Sequence, residues 1–230
     1  IRTTLAQFGW SVTIQDFGYR NVALANIIAT RAEPASTDIM LAAHYDTRPH
    51  ADQQPQGALA PPVPGANDGA SGVAILLEIA QVLQARPAGC GVRLAFVDGE
   101  DSGELSGWEW IVGSSYLAGH MEIPPAGVVV VDMVGDANLN IYREVNSDRA
   151  LTDAIWKAAA RLGMTGFIDQ PKYSMLDDHT PFLRAGIPAV DIIDFDYPYW
   201  HTTQDTTDKL SAESLQQVGQ TLVSWLSNCK

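Results

Sequence analysis

Short apolar runs rich in β-branched residues recur along the chain and end abruptly in charged or turn-forming residues. They run from Val22 to Ala29, Asp38 to His44, Val92 to Asp98, Val128 to Met133 and Ile187 to Ile193. Runs of this length, apolar at nearly every position, predict buried strands. Leu139 to Arg143 predicts a further short strand. Between these runs the apolar spacing turns helical. Ser71 to Gln84 is mostly apolar and predicts a buried helix, and another is expected near Trp110 to Ala118. In Ser147 to Leu162 the residues Leu151, Ile155 and Leu162 share one face. In Ser211 to Leu226 the residues Leu215, Val218, Leu222 and Trp225 stand at helical spacing. Ile1 to Gly9 reads as the last turns of a helix closed by Gly9, which suggests trimmed or absent upstream sequence.

Strands alternating with helices predict a three-layer α/β/α sandwich around a central mixed, largely parallel twisted sheet. Val22 to Ala29 and Asp38 to His44 are expected to be neighbours. No internal repeat or composition break appears, so residues 1–230 are expected to form a single domain. Pro49 to Pro64 is a long polar loop, and such loops in compact domains are often functional. Ser102 to Gly107 is a shorter Gly/Ser loop.

What ends the apolar runs changes the picture. His44 closes one, Glu100 and Asp101 follow another, and Asp132 ends a third after four valines. In open α/β sheets, ligands bind outside the carboxyl ends of the strands. Three strands would therefore deliver acid or imidazole groups to one edge, with Asp68 and His201 added from loops. Mixed Asp and His donors suit a dication such as zinc. Each residue also has a plainer reading. Asp68, in the turn Gly65 to Gly72, suits a helix N-cap. Asp46 is spaced to orient the imidazole of His44. Glu100 and Asp101 would divide the work, one binding the ion and the other moving protons. An unpaired Asp132 would be costly and needs a partner. Asp177, Asp178 and His179 precede a helix, where one acid would serve as a cap and leave the other to explain. Trp200 beside His201 suits a pocket wall. His50 and His120 fit no pattern and read as surface residues.

Composition narrows the class. With 46% hydrophobic and 18% charged residues, the chain is globular, and its net charge of −13 argues against nucleic acid as a partner. No apolar run reaches the length of a membrane span. Walker and dinucleotide fingerprints are absent. Cys90 and Cys229 are too few for a disulfide framework or a thiolate metal site, and spacing alone leaves their pairing open.

The ordered motifs His44-x-Asp46, Asn67-Asp68-Gly69-Ala70-Ser71-Gly72, Asp98-Gly99-Glu100-Asp101, Asp132-Met133, Asp177-Asp178-His179 and Trp200-His201-Thr202 resemble the zinc-dependent aminopeptidase and glutaminyl cyclase superfamily. The resemblance covers most of the chain from about Val22. Within it, the chain is most similar to the animal-type glutaminyl-peptide cyclotransferases of bacteria. Aminopeptidases of this clan usually carry Ser-Asp-His where Asp177-Asp178-His179 stands, and mostly Glu-Glu where Glu100-Asp101 stands. Trp200 directly before His201 is a cyclase feature.

The resemblance implies one zinc held by Asp68, Asp101 and His201, with Glu100 as general acid and base. It implies that Asp177 and Asp132 share a hydrogen-bond network beside Glu100. It also implies that Trp200 lines the pocket together with Trp108 or Trp110. Substrates would be peptides or proteins with N-terminal glutamine, converted to pyroglutamate with loss of ammonia. Secretion or a periplasmic location, and a monomeric state, are the matching expectations. His44, with Asp132, could hold a second metal across Asp68, which keeps a dizinc aminopeptidase open. A non-catalytic binding domain is a third reading, and the retention of Glu100 beside five candidate ligands argues against it.

Overall fold

The structure is a computed structural model that describes residues 1–31, 37–53 and 61–229. A six-stranded sheet forms its centre. β1 (Ser11–Tyr19) and β2 (Val22–Thr30) make an antiparallel hairpin at one margin. β4 (Val92–Val97) pairs antiparallel with β2, and from there β4, β3 (Ile39–His44), β5 (Gly127–Asp132) and β8 (Ala189–Ile193) run parallel. β6 (Ile141–Arg143) and β7 (Phe167–Pro171) form a separate two-stranded ribbon.

Side-chain alternation sorts the core into two layers. Ile39, Leu41, Ala43, Leu94, Phe96, Val129, Val131, Val190 and Ile192 face one side. There they meet α2 (Ala70–Ala85), α4 (Arg149–Leu162) and α6 (Ala212–Leu226), with Leu5 of α1 (Arg2–Gln7) at the margin. Met40, Ala42, Ala95, Val97, Val128, Val130 and Ala189 face the other side, under α3 (Val112–Gly119) and α5 (Thr180–Arg184). A strand covered on both faces has no polar side to offer, which is why these runs are apolar throughout.

α2 lies close on the sheet. A Cβ at Gly72 would come within 2.1 Å of the Val131 carbonyl oxygen, so only glycine permits that approach. α4 is capped by Asp148, whose carboxylate accepts from Leu151 N at 2.9 Å, and is closed by left-handed Gly163.

Several expectations need correction. β2 and β3 are not neighbours, because β4 lies between them. The reason is burial: β3 is buried at all six positions and takes a central place, whereas half-exposed β2 suits the margin. Leu162 does not share the buried face of Ile155, being 43% exposed at the last turn of α4. β1 and β7 were not expected; neither contains a continuous apolar run. Cys90 and Cys229 are joined in a disulfide with a Cα–Cα distance of 5.5 Å, tying the turn ahead of β4 to the segment that follows α6. Part of the long loop from Pro49 lies outside the described residues.

Candidate active site

The carboxyl ends of β3, β4 and β5 meet at one edge. The connection from β3 leads to β4 on one side, while β5 leads on to β8 on the other. Chain directions therefore diverge between β3 and β5, the usual place for a binding crevice. His44 and Asp132 end those two strands, with Nε2 of His44 3.1 Å from Asp132 Oδ1. The same nitrogen lies 3.1 Å from Asp68 Oδ1.

Asp68 sits in the turn before α2. It does not cap that helix, whose N-cap is left-handed Gly69 without a side-chain bond. Its turn is held from outside by Asp205, whose carboxylate accepts from Asn67 N at 2.8 Å and Asp68 N at 3.1 Å. Tyr197 Oη donates to Asp205 at 2.7 Å, and Asn67 Oδ1 accepts from Gly135 N at 2.7 Å. With its backbone fixed this way, the Asp68 carboxylate is free to face the crevice.

Glu100 and Asp101 turn off the end of β4. Asp46 brackets them: its two oxygens accept from Glu100 N and Asp101 N, each at 3.1 Å. Asp46 therefore fixes the acidic turn before it does anything for His44. His44 Nδ1 is 3.7 Å away and has no hydrogen-bond partner among the described residues. Asp46 thus stands beside the imidazole as expected, and its stronger task, which spacing did not indicate, is to hold the acidic turn.

His201 closes the site. Its Nε2 lies 2.9 Å from Asp101 Oδ1 and 3.6 Å from Asp68 Oδ2. It adopts a left-handed backbone (φ 55°), as do Met133 (φ 47°) and Ile111 (φ 56°). Such conformations in non-glycine residues are sparsely populated and cluster at functional sites.

Asp68, Asp101 and His201 are all buried, and their ligating atoms lie within 4.8 Å of one another. Among the described residues, neither oxygen of Asp101 has a hydrogen-bond partner, nor does Oδ2 of Asp68. Burial first, and the Asp68 charge second, push the Asp101 carboxyl up to about 10. The His201 imidazole is pushed down to about 4, chiefly by burial, and so is neutral and able to ligate at ordinary pH. Orphaned buried oxygens around a neutral imidazole are what a dication would satisfy, so the residues present fit zinc. His44, Asp68 and Asp132 form a second group of the same size.

Glu100, Asp132, Asp177 and Asp178 are also held above their ordinary range. Glu100 is raised well above it, by burial first, with His44 opposing and Asp177 adding to the rise. Burial raises Asp132 to about 7 and also raises Asp177. Asp177 and Asp178 make no side-chain capping bond to α5, and its N-cap residue His179 makes none either. Asp178 accepts instead from the hydroxyl of Ser114 on α3.

Glu100, Asp132 and Asp177 open with Asp68 and His201 onto a cavity of about 200 Å³ walled by Trp110, Met175, Phe195 and Trp200. Trp200 stacks on His201 with ring centres 3.8 Å apart. Of the two competing tryptophans, Trp110 lines this cavity. Trp108 packs edge-on against Tyr19 at 5.0 Å instead, because the left-handed backbone at Glu104, Ser106 and Gly107 turns it away. A larger groove of about 840 Å³ between α2 and α6 gathers no acid–imidazole cluster, so its size does not make it the reactive site. Sequence reasoning gave no role to Asp205, Arg48, Asp52 and Ser114; Arg48 lies in the segment His44 to His50 that resembles the bacterial cyclases, and the other three sit in no motif.

The profile of Peptidase family M28 matches residues 26–226. The chain belongs to this family. M28 relatives of two kinds resemble it. A glutaminyl-peptide cyclotransferase-like protein of Bos taurus is 26% identical over 95% of the chain. The chain spans only 65% of that relative's length. The glutaminyl cyclase of Bacteroides thetaiotaomicron, solved with N-acetylhistamine, superposes with a TM-score of 0.92 at 33% identity, over 99% of this chain and 87% of that one. A Zn-dependent exopeptidase of Parabacteroides distasonis gives a TM-score of 0.92 at 30% identity, over 98% and 87%. The M28 fold is therefore shared with cyclases and exopeptidases alike, and the site must separate them.

Proposed function

We propose that this chain is a glutaminyl-peptide cyclotransferase, closing the N-terminal glutamine of peptides to pyroglutamate with release of ammonia. The observation that carries the reading is the small cavity where Glu100 and Asp177 face Trp200 beside Asp68 and His201. Asp68, Asp101 and His201 would hold one zinc. When bound, the metal supplies Lewis-acid polarisation of the side-chain amide oxygen. Glu100 takes a proton from the α-amine as that nitrogen bonds to the amide carbon, and returns it to the departing nitrogen as the C–N bond breaks. Asp177 holds the leaving nitrogen in line, and Asp132 completes the acid network behind it. Nucleophile and electrophile share one residue, so much of the ordering cost is met in the substrate. Trp200 and Trp110 form walls that exclude water, which suits a reaction that consumes none. The Cys90–Cys229 disulfide supports a secreted or periplasmic location, since such bonds persist in oxidising compartments.

The second reading is a dizinc aminopeptidase, favoured by the group His44, Asp68 and Asp132, which offers a second cation a place across Asp68. A paired assay with glutaminyl and leucyl substrates, with zinc stoichiometry measured on the same sample, separates the two. Glutaminyl turnover with one zinc per chain is expected. Leucyl cleavage with two zincs would overturn the cyclase reading.

A further inference from the structure

We propose that Asp52 is the positioning residue for His201 as a metal ligand, and that Arg48 is the strut holding Asp52 in place. The inference rests on the reading that Asp68, Asp101 and His201 bind zinc. Metal-ligating histidines usually direct their second ring nitrogen at a carboxylate or carbonyl, which fixes tautomer and ring orientation. Here Nε2 of His201 faces Asp101 and Asp68, so Nδ1 must carry the proton for ligation. Nδ1 lies 3.2 Å from Asp52 Oδ1. The contact is a close approach rather than a well-aligned hydrogen bond, and among the described residues Nδ1 has no hydrogen-bond partner. The peptide of the next residue reinforces it, with Gln53 N donating to His201 O at 3.2 Å.

Asp52 does not stand alone. Its other oxygen accepts from Arg48 Nη2. Arg48 is among the largest fully buried side chains, at 2% exposure. Its Nη1 donates to the carbonyls of Asp101 at 3.0 Å and Gly103 at 3.1 Å, and Trp110 covers the guanidinium at 4.7 Å. One guanidinium therefore spans the backbone carrying ligand Asp101 and the carboxylate facing ligand His201. A planar fork with several fixed donors suits this task and an ammonium does not. The alternative is an ordinary ion pair four residues apart that only stiffens the loop.

The test is zinc affinity by chelator competition, together with the melting temperature of the metal-free protein, for wild type, Asp52→Asn and Asp52→Ala. Asp52→Ala is expected to weaken zinc binding about ten- to a hundredfold. Asp52→Asn, which keeps an acceptor oxygen, should lose less. Metal-free melting should fall only slightly, since the Asp52 side chain is 35% exposed and Arg48 keeps its bonds to the Asp101 and Gly103 carbonyls. Adding Asp52→Ala to His201→Ala should cost no further affinity, because the first acts through the second. Wild-type zinc affinity in Asp52→Ala would overturn the proposal, as would a loss matched by lower metal-free stability. Zinc binding that ignores His201→Ala would instead remove the ligand assignment itself, and the positioning role with it.

Discussion

At the amino edge of the parallel strands, the disulfide between Cys90 and Cys229 closes the chain beside β4, and Gly89 N donates to Leu226 O at 2.8 Å. At the carboxyl edge, Asp101 and Asp68 keep oxygens without hydrogen-bond partners among the described residues, and His201, Met133 and Ile111 hold left-handed backbone. The same four strands run between the two. The contrast teaches that a buried sheet can carry unsatisfied, mutually repelling acids at one end because covalent and packed contacts secure the other. Strained or under-satisfied groups persist only where the surroundings over-determine them.

The contrast can be broken from either side. The largest effect is expected at the carboxyl edge. Glu100→Gln should lower turnover about a thousandfold or more while one zinc stays bound; single-turnover kinetics and metal analysis check both halves. Substantial residual activity would remove the role given to Glu100. At the amino edge, Cys90→Ser opens a link spanning 139 residues and should cost about 3 to 5 kcal/mol of unfolding free energy in denaturant titration. Turnover per folded molecule should not change, and a loss there would show that the two edges are not independent.

A smaller effect sharpens the comparison between them. Glu144 is buried against His179 but, unlike Asp101, is fully served. Its carboxylate accepts from Asn146 N at 3.0 Å, Ser147 N at 2.7 Å and Met175 N at 2.9 Å. Burial would raise its pKa, but hydrogen bonds from His179 and these amides outweigh that and bring it to about 2. A depressed carboxyl gives stability that is complete above its unfolded value of about 4.3 and is lost as pH falls toward the folded one. Glu144→Gln should therefore shrink the stability difference between about pH 6 and about pH 2.5 by on the order of 2 kcal/mol. An unchanged difference would mean that Glu144 is no better satisfied than the acids of the crevice.

The parallel strands and the acids at their tips were legible because a run buried on both faces must be apolar until it ends. The polar residue that ends it then stands out. His44 and Asp132 are visible for that reason, whereas Asp101 stands out only as one of two adjacent acids in the turn past β4. Partners were not, because a carboxylate reaching a distant amide leaves no period in the sequence. Asp205 holds Asn67 and Asp68 across more than 130 positions, and nothing about its neighbourhood announces the contact. Asp46 was noticed for its spacing from His44, but spacing could not say that backbone donors would claim it. Likewise β1, with a single buried side chain at Phe17, offers no apolar run to read.

The bracket that Asp46 places on two successive amides has a consequence for how this chemistry can change. Glu100 and Asp101 share one anchor, so the proposed proton carrier and the proposed metal-binding neighbour shift together. Substitutions that nudge this corner will rarely separate affinity for the ion from speed of conversion. Variation is freer on the opposite wall, where Trp200 and Phe195 belong to another loop and can remodel what enters without disturbing the pair.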